Sequence, residues 1–105
     1  MEIIESQDND DNYYINRIIM IPDSDRLNSF YKVVKCTDKM FCIRKIKTDT
    51  NLYKINYDKF TNEVTSKVYQ AKLSDEVENE KIKTIRKTSI NKYSVIYCSI
   101  VQYEV

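Results

Sequence analysis

Five bases, Lys81, Lys83, Arg86, Lys87 and Lys92, fall within twelve residues with no acid among them. Fixed positive charge at this density suits a polyanion, because each cation set against a phosphate releases a condensed counterion. If the chain turns at Asn91 and Lys92, Arg86 lies opposite Tyr97, while Lys83 and Lys87 share the other face with Ile100 and Ile96. Cations beside flat rings are what single-stranded nucleic acid uses, charge for the backbone and a ring face for each base. A solvated edge guarded by Lys and Arg is the competing reading, with Asp75, Glu76, Glu78 and Glu80 just upstream to neutralise it.

A second basic segment runs from Phe30 to Lys47. Strands at 30–36 and 40–47 flank a short turn at Thr37, Asp38 and Lys39. With a three-residue turn Lys32 faces Arg44, and with a two-residue turn it faces Lys45. Both registers set like charges side by side, which is unfavourable in a sheet unless water or an anion relieves it.

Other chemistries are poorly served. The chain has no glycine and no histidine. Without glycine it lacks the loops that cradle nucleotides and the strained turn that presents a nucleophilic serine. Without histidine it lacks the commonest general base and metal ligand. Cys36, Cys42 and Cys98 form no CxxC pair, so they suit neither a disulfide framework nor a four-cysteine zinc site, and they read as small buried hydrophobes. The expectation is a non-enzyme with no cofactor and no metal.

Of the 105 residues, 45 are Asn, Ile, Lys or Tyr and only 6 are Gly, Ala, Pro or Arg. The first group is written in A/T-rich codons and the second in G/C-rich ones, a bias like that of large DNA viruses, their satellite elements, or A/T-rich bacteria and their phages. The same bias accounts for much of the tyrosine content, which otherwise suggests stacking platforms or an interaction surface. Residues 1–12 carry five acids and no base, an acidic arm expected to be disordered or to mask the basic body. The remainder holds 17 bases against 11 acids, net +6. No secretory signal or long apolar run is legible, so the expected setting is intracellular, host cytoplasm or virion, with no membrane partner.

Alternation of apolar residues supplies the scaffold, a single domain over 13–105. Strands are predicted at Tyr13–Ile21, across the 30–47 hairpin, at Val64–Leu73, and in a second hairpin of Lys81–Ile90 with Tyr93–Val105. Helical spacing of Leu52 with Ile55 and of Tyr53, Tyr57 and Phe60 allows one short helix within 49–63, and Ser74 is a candidate N-cap for another through Glu80. The last strand is apolar on both faces, as in a central or barrel-closing position. The expected class is mainly β, a small barrel or curved antiparallel sheet of SH3-like or OB-like kind, with an α+β sandwich as the alternative.

FYKVVKCTDKMFCIRKI, residues 30–46, resembles a pattern in small uncharacterised β-domain proteins of tailed phages: an aromatic-Tyr-x-Val-Val strand, a Thr-containing turn, and a strand ending in Arg-x-Ile. The resemblance implies a small β domain in a mobile-element setting and no activity. The sequence therefore predicts a viral or mobile-element protein that binds nucleic acid, DNA or RNA, mainly through its phosphates, using Lys32, Arg44, Lys45, Lys83, Arg86, Lys87 and Tyr97. The alternative is a protein-interaction module, a minor virion component or an inhibitor of a host defence protein.

Overall fold

The computed structural model describes residues 12–23, 27–78 and 81–105; apart from Asn12, the acidic arm lies outside them. They hold β1 (Ile18–Pro22), β2 (Asn28–Cys36), β3 (Met40–Tyr57), β4 (Val64–Val77), β5 (Lys83–Arg86), a 3-10 turn (Lys87–Lys92), β6 (Ser94–Ile96) and β7 (Ile100–Glu104). Every pairing is antiparallel, in the order β6-β1-β2-β3-β4-β7, with β5 also paired to β3. The ends of that path, β6 and β7, are joined through residues 97–99 alone, and Leu73 N–H donates to the Ser99 carbonyl at 2.8 Å. The sheet is thereby rolled into a nearly closed small barrel, the mainly β architecture that the patterning predicts.

Both faces of the β1-β2-β3 sheet are covered, which is why FYKVV and MFCI read as near-continuous apolar runs. Inside the barrel Phe30, Ile46, Ala71 and Tyr103 are buried, with Ile18, Met20, Tyr69, Leu73, Ile96 and Val101 packed around them. The Tyr103 hydroxyl accepts the Asn28 N–H across this interior at 3.2 Å. On the outer face Ile19, Tyr31, Val33, Phe41 and Ile43 lie beneath Ile90 of the 3-10 turn, flanked by Tyr14, Ile15, Ile85 and Tyr93. Full burial of side chains this large contributes roughly 1.5–3 kcal/mol each.

Two helices that the spacing allows and the expected C-terminal hairpin give way to other structure. Residues 49–63 hold no helix: β3 continues to Tyr57, ten of its residues pair with β4, and that tertiary pairing overrides the helical spacing. The helix through Ser74–Glu80 is likewise replaced by strand up to Val77, and Ser74 Oγ instead accepts the Glu76 N–H at 3.1 Å. The C-terminal hairpin does not form. Its first arm pairs with β3, its turn is 3-10 helical, and its second arm divides into β6 on β1 and β7 on β4, each half having one strand partner. The two-faced apolar pattern of that arm belongs to a barrel-closing segment, one of the two positions expected. At the N-terminal end strand begins at Ile18, and residues 12–14 are one turn of helix.

A chain without glycine bends by other means. Register shifts within β3–β4 at Ile46/Thr48, Leu52/Lys54 and Asn56/Tyr57 mark bulges that let the 18-residue strand pass from one half of the barrel to the other. Among the described residues the left-handed backbone positions fall to Asn16 and Asn62, at φ 67° and 60°, since Asn tolerates that region best after glycine. Asn91, the expected turn residue, sits within the 3-10 turn instead.

Candidate nucleic-acid interface

The turn of the β2–β3 hairpin has two residues, Asp38 and Lys39, closed by Thr37 N–H donating to the Met40 carbonyl at 2.8 Å. Cys36 then faces Phe41 and Lys35 faces Cys42, but the register shifts between Val33 and Lys35, so that Lys32 faces Arg44. The chain thus combines a two-residue turn with the cationic pairing expected of a three-residue one, the difference being absorbed by a bulge at Val34.

β3 is the shared neighbour of the two basic segments. Its first half pairs on one side with β2 and on the other with β5, matching Met40 with Arg86, Cys42 with Thr84 and Ile43 with Lys83. Residues directly opposite on neighbouring strands share a face. Lys32 and Arg44 therefore continue the row of Ile96 and Ile18, on the face that lines the barrel interior. Lys35 with Cys42, and Met40 with Arg86, extend that face beyond it. Four cations, Lys32, Lys35, Arg44 and Arg86, lie on one side of three adjacent strands. Lys32 and Arg44 are half-buried, have no carboxylate partner among the described residues, and the buried Arg44 Nε has no hydrogen-bond acceptor.

The remaining expected contacts lie on the opposite face and are engaged there. Lys45 faces Tyr31 and pairs with Glu78 at 3.8 Å. Lys83 Nζ donates to the Tyr31 hydroxyl at 3.1 Å and lies 5.3 Å from that ring's centroid. Lys87 Nζ sits 5.7 Å from the Phe41 ring. Tyr97 is not opposite Arg86. It is 65% exposed at the end of β6, with the Arg17 guanidinium 5.4 Å from its ring. Arg17 also lies 5.1 Å from the Tyr13 ring and donates from Nε to the Tyr13 carbonyl at 3.1 Å.

Lys35 is the cation on this face that sequence reasoning missed. Strict alternation puts it on the face of Val33, and only the bulge moves it to the face of Lys32. Nearby, Lys47 and Glu76 are bonded at 2.9 Å. Their hydrogen bond and mutual charge raise the Lys47 pKa and lower that of Glu76, so this lysine carries its own counter-charge. Of the cysteines, Cys42 is buried as expected, whereas Cys36 and Cys98 are exposed. Among the described residues no cluster of His, Cys, Asp or Glu could hold a metal ion, and no helix is long and apolar enough to cross a membrane.

No family model, curated protein or solved structure matches this chain.

Proposed function

We propose that this protein is a non-enzymatic nucleic-acid-binding domain that grips the phosphate backbone with the cationic face of β2, β3 and β5. The observation carrying this reading is the direct opposition of Lys32 and Arg44, without a nearby carboxylate among the described residues. Opposed like charges destabilise a sheet, and a buried unpaired donor costs about 1–3 kcal/mol. A phosphate between the two side chains offsets the first cost directly. Lys35 and Arg86 on the same face extend the field along a backbone, while Lys45 and Lys47, which have Glu78 and Glu76, are less available.

The test is titration of fluorescently labelled oligonucleotides with the protein at several salt concentrations. Affinity is expected to fall with salt at a log–log slope of roughly 0.7–0.9 per phosphate contact. Charge removal at Lys32, Lys35 and Arg86 is expected to reduce that slope and to weaken binding across sequences. Absence of binding at low salt would refute the reading and favour a protein-interaction module.

A further inference from the structure

The last rung between β4 and β7 is at Val68, followed by backbone bonds between Lys67 and Val105 at 2.9 and 3.3 Å. Beyond Lys67 β3 and β4 continue with only each other as partners, pairing Asn56 with Ser66 and Tyr57 with Val64. The result is a two-stranded arm on a molecule 57 Å long and 33 × 23 Å in section.

The tip of this arm is a built turn. Asp58 carboxylate oxygen Oδ1 accepts the N–H groups of Phe60 and Thr61 at 2.8 and 3.0 Å. Asp58 N–H donates to the Glu63 carbonyl at 2.8 Å, Asn62 N–H donates to the Asp58 carbonyl at 3.0 Å, and Asn62 takes the left-handed conformation. These bonds place Phe60 at the crown of the turn, 96% exposed, with Tyr57 and Tyr53 also exposed behind it. A two-stranded hairpin has little stability of its own to hold so large an apolar ring in water. Burial does not account for Phe60.

Lysines accompany these rings. Lys59 precedes Phe60 at the tip, and exposed Lys67 lies across from Ile55 at the base of the arm, one rung beyond Lys54. The cores of protein interfaces are depleted in lysine, whereas rings alternating with cations suit single-stranded nucleic acid, whose bases stack on aromatic faces while cations follow the phosphates. We propose that the β3–β4 arm is a stacking arm for single-stranded nucleic acid, with Phe60 as its terminal ring and Lys59 and Lys67 on the backbone. This rests on the nucleic-acid reading above and adds a second contact region, remote in the chain from Lys32, Lys35 and Arg86.

The experiment compares the parent with Phe60→Ala and Phe60→Leu, using a labelled 20-nucleotide oligo(dT) and melting each variant in parallel. Both variants are expected to melt as the parent does, because Phe60 lies outside the core. Both are expected to bind oligo(dT) roughly 5- to 150-fold more weakly with the salt slope unchanged. Parent-like affinity in Phe60→Leu would overturn the inference by showing that an apolar contact, as with a protein or lipid surface, replaces stacking. Parent-like affinity in Phe60→Ala would also overturn it. If charge removal at Lys32, Lys35 and Arg86 weakens binding while neither Phe60 variant does, the arm is refuted and the backbone reading stands; a parent that binds no oligo(dT) refutes both.

Discussion

Arg44 stands directly across from Lys32 on the inner face of the sheet, and the bulge at Val34 puts it there. Continued without the bulge, the two-residue turn would set Lys32 against Lys45, a lysine that has Glu78 beside it. The bulge exchanges a neutralised neighbour for one with no carboxylate among the described residues, concentrating positive charge on the inner face of β2 and β3.

Arg44→Met should separate stability from binding. Removing one of two opposed like charges is expected to stabilise the free protein by about 0.2–1 kcal/mol, and losing the unpaired Nε acts in the same direction. For a domain of this size the melting temperature should rise by a few degrees, at roughly 4–8 °C per kcal/mol. Oligonucleotide affinity should fall. Calorimetric melts and anisotropy titrations of the one variant check both halves, and a lower melting temperature with unchanged affinity would contradict the phosphate reading.

The arm tip should depend on acid pH in a defined direction. Two amide N–H groups, of Thr61 and Phe60, hold the Asp58 carboxyl below its ordinary value of 3.8. A depressed carboxylate contributes stability that is present above the unfolded pKa and lost as pH falls through the folded one. The Phe60 and Thr61 amide resonances should therefore hold their positions down to about the usual Asp range and shift only below it. Asp58→Ala should move them at neutral pH while leaving the global melt close to the parent's. Amide shifts that titrate at the ordinary Asp value would contradict the turn geometry.

Cysteine reactivity should divide by position. Cys36 and Cys98 are exposed and Cys42 is buried between Lys35 and Thr84 on neighbouring strands. An aromatic disulfide reagent at mildly alkaline pH should titrate two thiols in the native protein and the third only on unfolding, because access and thiolate fraction set the rate. Three equivalents titrating together would place Cys42 outside the core.

Local chemistry in the sequence determines part of this molecule. Alternation in FYKVVKC and MFCIRKIK, with Thr37-Asp38-Lys39 between them, specifies a hairpin because strand period and turn residues are short-range properties. Alternation in Tyr93–Val105 likewise specifies extended chain, although the burial from two sides that it suggests is not realised, Tyr97 and Ile100 being exposed, and the lack of glycine leaves Asn to occupy left-handed positions. Tertiary pairing decided the rest. Whether Lys83–Arg86 joins Tyr93–Val105 or the free edge of β3 depends on which edge the rolled sheet leaves open, and the winning edge is forty or more residues away in the chain. The extended conformation of 49–57 depends on β4 in the same way, because Leu52 and Ile55 match helical spacing until eight partners appear alongside. The bulge at Val34 leaves no mark on local propensity, yet it sets which cations share a face. A one-residue change of register carries side chains to the other side of a sheet, so the basic residues were legible in the sequence and their grouping was not.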